Sequence, residues 1–262
     1  MNFQFESNDI FAAGEFDKTD SEVIVLVHGA AMDHCVWAFH TRYFRYIDQP
    51  VLAIDLPGHG RSTGTPLASI PQAADWLLAF TQNIGVETLC LAGHSMGALI
   101  ALEAAARGGG RISRLALLGF GFPMAVSDLL LDAADDDRAS AEQMMTVWGN
   151  GHGAHIGANP VAGLRATTFS KRLLERAADG VLHTDLSACQ AYEGGIEAAR
   201  NVSCPVTIIS GSDDKMTPAR NAQATIEALK NARQTVIPNS GHMLSSEQPE
   251  ATHQALVAAL AA

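Results

Sequence analysis

Short apolar runs, set apart by turns rich in glycine, proline and aspartate, dominate the first half of the chain. Val23–Val27, Val51–Ile54, Thr88–Ala92 and Leu115–Leu118 read as buried strands. Ala98–Arg107, rich in alanine and leucine, reads as a helix. Phe3–Phe5 and Ile10–Ala12 suggest an antiparallel hairpin at a sheet edge. Strands alternating with helices imply βαβ units and a parallel sheet. The alternation stops after Phe120-Gly121-Phe122-Pro123, and the next strand, Val206–Ser210, comes only after a gap of roughly 80 residues, too long for a plain crossover. That gap carries helical patterns at Ala139–Trp148 and Lys171–Ala178, with Gly149–His155 between them expected as a flexible, polar connector. Ala219–Leu229 then reads as a helix and Thr235–Ile237 as a last strand. No repeat, low-complexity segment or second core interrupts the 262 residues, enough for one domain with a sizeable interior.

Gly93-His94-Ser95-Met96-Gly97 lies between the Thr88–Ala92 strand and the Ala98–Arg107 helix. A serine there must sit on a sharp turn, and the flanking glycines let neighbouring backbones pass without a Cβ clash. The turn exposes Oγ, and the helix start aims free N–H groups at the same place. Serine alone is a weak nucleophile at neutral pH; it needs a base, and the base an orienting acid. Asp213 and Asp214 follow the Val206–Ser210 strand, and His242 follows the last strand. Taken singly, the acids also suit capping before Pro218, and His242 suits a surface loop. All three lie just after expected strands, in the order nucleophile, acid, histidine.

These residues resemble the α/β-hydrolase superfamily, in its esterase-like serine hydrolase branch with a helical cap. Val23 to Gly29 looks like the third strand and its HG oxyanion loop. Asp55-Leu56-Pro57-Gly58-His59-Gly60-Arg61-Ser62 looks like the D-x-P-G-H-G-x-S segment. Gly211 to Asp214 with Pro218 looks like the acid turn, and Ser240 to Met243 with Glu247 and Pro249 like the histidine loop. The resemblance implies an α/β-hydrolase fold: a mostly parallel eight-stranded sheet flanked by helices, with a helical cap inserted after strand six. It divides the chain into a core, 1–121 and 204–262, and a cap, 122–203. Its spacing selects Asp214 over Asp213 as the acid partner of His242 and Ser95. It implies an oxyanion hole from the N–H groups of Met96 and Ala30, with His28 and His59 shaping their loops. Met144, Met145 and Trp148 either line an acyl pocket or form the packed underside of the cap.

The implied chemistry is acyl transfer to water from an ester or thioester of a small-molecule acyl substrate, with no metal or organic cofactor. Three alternatives share the scaffold. One is a carbon–carbon bond hydrolase, disfavoured by His94 before the nucleophile and Met243 after the histidine. Another is a cofactor-free lyase or perhydrolase, and the third a non-catalytic small-molecule-binding protein. Twenty-eight acidic against 17 basic residues, net −11, disfavour nucleic acid and anionic membrane surfaces as partners. Cys35, Cys90, Cys189 and Cys204 form no C-x-x-C pair and read as buried apolar side chains. The opening residues lack a basic segment followed by an apolar run, and no apolar stretch reaches the roughly 20 residues of a membrane span, so a cytoplasmic location is expected. His152 and His155 lack acidic or cysteine companions for a metal, and Gly119-Phe120-Gly121 lacks the third glycine of a dinucleotide loop. Nothing in the sequence sets an oligomeric state.

Overall fold

The structure, a computed structural model, describes residues 1–17 and 22–260. Its strands are β1 (Asn2–Phe5), β2 (Asn8–Glu15), β3 (Val23–Val27) and β4 (Val51–Ile54), then β5 (Leu89–His94), β6 (Ile112–Leu118), β7 (Val206–Gly211) and β8 (Ala232–Ile237). They form one eight-stranded sheet in the order β1-β2-β4-β3-β5-β6-β7-β8. β2 pairs antiparallel with both β1 and β4, and every pairing from β4 to β8 is parallel. The α/β fold with its edge hairpin is thus the one the apolar runs imply.

The helices are α1 (Ala38–Tyr46), α2 (Ile70–Asn83), α3 (Met96–Gly108), α4 (Asp128–Asp136), α5 (Arg138–Gly149) and α6 (His152–His155). After them come α7 (Ala166–Glu175), α8 (Val181–Gln190), α9 (Gly195–Asn201), α10 (Gln223–Ala228), α11 (Leu244–Glu247) and α12 (Pro249–Leu260). Successive side chains of a strand point to opposite faces, so a strand covered on both faces is apolar throughout. In β3, Val23, Val25 and Val27 face Leu77 and Phe80 of α2 and Leu99 and Leu102 of α3. Ile24 and Leu26 face Phe44 of α1 and Leu256 and Leu260 of α12. Each such side chain removed from water contributes about 1.5–3 kcal/mol. α2 is well delimited: the Ser69 hydroxyl accepts from Gln72 N–H at its start, and Gly85, at φ 87°, ends it while Val86 N–H reaches back to Thr81 O at 2.9 Å.

β3 lies between β4 and β5. The chain leaves β3 to one side and returns on the other, and this reversal brings the carboxyl ends of β3 and β5 together in a crevice. Six helices, α4 to α9, lie between β6 and β7. α5 covers the expected Ala139–Trp148 helix. α7 begins at Ala166, not Lys171, and ends at Glu175, not Ala178. Thr167 and Thr168 weaken its helix propensity, but Ala166, Ser170, Leu173 and Leu174 form a buried face that stabilises it. The Gly149–His155 connector is tied down rather than free: Gly151 N–H donates to Glu247 Oε2 at 2.8 Å, and His152–His155 form the helical turn α6. α8 and α9 both pack against α3. No helix among the described residues is long and apolar enough to cross a membrane.

Between α1 and α12, the His40 and His253 rings stack at 5.8 Å, and none of their four ring nitrogens has a hydrogen-bond partner. Burial, reinforced by His253, pushes the His40 pKa from 6.5 down to about 3. The unfolded chain therefore binds this proton near its ordinary value and the folded one does not. The associated stability is complete above that value and is lost as pH falls below it. Urea unfolding at pH 7 and pH 5 should show the wild type losing stability toward acid, and His40→Gln should reduce that loss by on the order of 2 kcal/mol. An unchanged slope in the variant would contradict this assignment.

Candidate active site

Ser95 stands between β5 and α3 at φ 55° and ψ −119°, a region that L residues avoid. The sheet holds it there: Ser95 N–H donates to Leu118 O of β6 at 2.9 Å, and Ser95 O accepts from Ala98 N–H at 2.8 Å. A Cβ on Gly93 would overlap the Gly97 carbonyl, and one on Gly97 would overlap the carbonyls of Val27 and His28. Both glycines are therefore needed for α3 to begin directly over the end of β3.

His242 and Asp214 come from the loops after β8 and β7. His242 Nδ1 lies 2.9 Å from Asp214 Oδ2, and since a carboxylate only accepts, Nδ1 carries the proton. Nε2 is buried and has no hydrogen-bond partner. Asp214 Oδ1 accepts from the N–H groups of Met216 (2.9 Å) and Thr217 (2.8 Å), and Oδ2 accepts from the Thr217 hydroxyl at 2.8 Å. Burial alone would raise the Asp214 pKa, but the His242 charge and hydrogen bond, with the donors of Thr217, hold it at about 2. The same aspartate thus orients the imidazole and closes the turn before Pro218. Its neighbour Asp213 is half-exposed and takes the Ser212 hydroxyl at 2.8 Å. Glu247, buried, accepts from Gly151 N–H at 2.8 Å and Gly241 N–H at 3.0 Å, so it fixes the backbone beside His242. Burial raises its pKa against these donors.

Two further imidazoles sit beside the crevice, both uncharged. His28 Nδ1 donates to Gly29 O at 2.8 Å and Nε2 accepts from Leu56 N–H at 3.1 Å; burial, aided by His59, lowers its pKa to about 4. His94 Nε2 donates to the carbonyl of His242 at 2.9 Å, and burial, with His242 nearby, lowers its pKa to about 3. Each braces a loop.

A model of the alpha/beta hydrolase family matches residues 24–255. The chain belongs to the alpha/beta hydrolase family. It is 24% identical over 252 residues to the (E)-2-((N-methylformamido)methylene)succinate hydrolase of Acinetobacter baylyi, with 93% of this chain and 92% of that one aligned. It is 26% identical to the dihydrolipoyllysine-residue acetyltransferase component of the acetoin cleaving system of Pseudomonas putida, over 90% of this chain but only 63% of that protein's length. The enol-lactonase of Burkholderia xenovorans LB400 superposes with a TM-score of 0.86 over 100% of both chains; at 18% identity, that likeness concerns the fold.

In this family member, Ser95, His242 and Ala30 line one cavity of about 190 Å³. Its far walls come from the segment between β6 and β7, including Leu130, Met145, Trp148 and Leu186. Asp214 lies behind His242. Met96 is the first residue of α3, and its side chain lines a second, smaller cavity beside His59 and Asp185. Met144 does not line the Ser95 cavity; half-buried, it packs against the core. Thr217 was not singled out by its sequence; a threonine in a polar turn has no distinguishing pattern. Asp33, His34 and Cys35 bring ligand atoms within 4.8 Å of one another, but each is already engaged. Asp33 accepts from Cys35 N–H and pairs with Arg176, which also donates to Cys35 Sγ, while His34 pairs with Asp55.

The Asp214 geometry makes a spectroscopic prediction. The Nδ1 proton of His242 should give a downfield, exchange-protected proton resonance that disappears in Asp214→Ala and survives in Asp213→Ala. The opposite pattern would mean that the wrong aspartate has been paired with the imidazole.

Proposed function

We propose that the protein is a serine hydrolase that cleaves an ester or thioester of a small to medium acyl group by way of an acyl-enzyme. The observation that carries this reading is the unpartnered Nε2 of His242. With Nδ1 anchored to a buried carboxylate, Nε2 keeps its lone pair and has no hydrogen-bond partner, and His242 lines the same cavity as Ser95. In this reading Ser95 Oγ attacks the carbonyl carbon while Nε2 takes its proton, and Asp214 stabilises the imidazolium. The carbonyl oxygen becomes an oxyanion facing the N–H groups of Met96 and Ala30. His242 returns the proton to the departing alcohol or thiol, then draws one from a water molecule that attacks the acyl-enzyme. The second tetrahedral intermediate collapses to release the acid and restore Ser95.

Other observations agree. The Acinetobacter baylyi relative, aligned over 92% of its length, is named a hydrolase, and esterases are among the solved structures of the same fold. A cavity of about 190 Å³ suits a short acyl or aryl group, since one of roughly 150 Å³ takes benzene. We read residues 122–203 as a cap over a core of 1–121 and 204–262, with α5 and α8 shaping substrate choice.

The direct test is labelling with a fluorophosphonate probe. Wild type should be modified at Ser95 and Ser95→Ala should not; equal labelling of both would remove the assignment. The cavity walls make a second prediction. Replacing Met145 or Trp148 by alanine should shift the preferred acyl chain length across a series of p-nitrophenyl esters, by about tenfold in kcat/KM between short and long members, with the acetate little changed. Met144→Ala serves as the control and should leave the preference in place. A series unmoved by either wall variant would place the acyl group elsewhere.

A further inference from the structure

We infer that Asp185, on α8 of the inserted segment, is a positioning residue for the Ala30 N–H donor, so that the oxyanion loop is complete only with α8 in place. This rests on the serine-hydrolase reading above. Asp185 is buried, and its Oδ2 lies 2.8 Å from Ala31 N and 2.8 Å from His59 Nε2. Ala31 and His59 are 154 and 126 residues away in sequence, so one carboxylate oxygen ties the inserted helix to the loops after β3 and β4.

The two peptide planes around Ala30 are both held. Gly29 O accepts from Met32 N–H at 3.2 Å and from His28 Nδ1 at 2.8 Å. Because the peptide is planar and trans, fixing that carbonyl aims the Ala30 N–H the opposite way. The next N–H, of Ala31, is fixed by Asp185. Ala31 itself has φ 53°, a conformation an alanine leaves readily unless something holds it. Without its acceptor, the Ala30–Ala31 peptide is free to rotate and to turn Ala30 with it.

The buried carboxylate is neutralised where it stands. Both nitrogens of His59 face acceptors, Pro57 O at 3.0 Å and Asp185 Oδ2 at 2.8 Å, so the ring carries two protons. Burial opposes that charge, but the hydrogen bond and charge of Asp185 outweigh it and raise the His59 pKa. Removing either partner alone would strand the other.

Four variants separate positioning from simple attachment of α8: Asp185→Ala, Asp185→Asn, and each of Asp185→Ser and Asp185→Asn combined with His59→Gln. The double variants leave no stranded charge. Serine is too short to reach Ala31 N–H, whereas asparagine still offers it a carbonyl oxygen. Each is assayed for kcat and KM on a p-nitrophenyl ester, for inhibition by a boronic acid that forms a tetrahedral anion on Ser95, and for Tm. Positioning predicts that Asp185→Ala and His59→Gln/Asp185→Ser lose about tenfold to a hundredfold in kcat and in boronate affinity, with KM within about threefold. Both asparagine variants should recover most of that loss even where their Tm is lowered. If His59→Gln/Asp185→Ser keeps kcat and boronate affinity within about threefold of wild type, or if serine and asparagine variants fall together in step with Tm, Asp185 is only an attachment and the inference fails. A wild type that neither hydrolyses esters nor labels at Ser95 would instead overturn the serine-hydrolase reading, and this inference with it.

Discussion

At φ 55°, the backbone of Ser95 occupies a region that costs of order 1–3 kcal/mol for a residue with a side chain. Nothing in the pentapeptide itself would hold it there. The sheet does: β6 accepts its N–H, β5 and β3 are paired up to Gly93 and Val27, and α3 can start immediately only because Gly93 and Gly97 leave no Cβ in the way. The reversal of strand order at β3 places the Gly29-Ala30 loop beside this turn. The Ser95 hydroxyl, a helix N-terminus and a second backbone loop therefore converge from one steric fact, the close crossing of α3 over the end of β3.

The histidines show how burial and partner divide one residue type into different tasks. His28 and His94 are enclosed with no carboxylate hydrogen-bonded to them, stay uncharged, and act as fixed donors or acceptors for backbone. His34 and His59 are also enclosed but face Asp55 and Asp185, which raise their pKa values, to about 10 for His34, despite burial. His242 faces a carboxylate on one nitrogen and has no partner on the other. That asymmetry distinguishes a proposed proton carrier from a structural imidazole, and only the three-dimensional environment creates it.

What could be read from the sequence follows from how local each signal is. The inner strands of the parallel sheet were legible because burial on both faces makes them apolar runs, whereas the edge strand β8, largely unburied and carrying Arg233 and Gln234, was legible only over Thr235–Ile237. The turn at Ser95 was legible because glycine spacing records a backbone clash directly. The helices of the inserted segment were less so: α7 depends on a buried face that only packing reveals, and α8 and α9 carry mixed patterns. Met144 and Met145 could not be separated by spacing, since one lies four and the other three residues before Trp148 and both distances place side chains on a shared face. Thr217 and Asp185 were invisible for a different reason. Thr217 bonds Asp214 within an ordinary polar turn and meets His242 only through the fold, while the partners of Asp185 lie more than a hundred residues away.

That distance has a consequence for any change to the segment after β6. Its side chains form the far walls of the Ser95 cavity, so altering the segment alters those walls. Here the segment also brings a buried charge into the network under the Ala30 loop. A replacement would have to supply both the shape of the cavity and an acceptor for Ala31, or find another way to hold an alanine at positive φ. The wall of the Ser95 cavity and the loop geometry proposed for catalysis are therefore linked in this chain through α8, which lends Leu186 to one and Asp185 to the other. Adjacent in sequence, these two residues face different cavities, so a small rotation of α8 would move the wall and the carboxylate together.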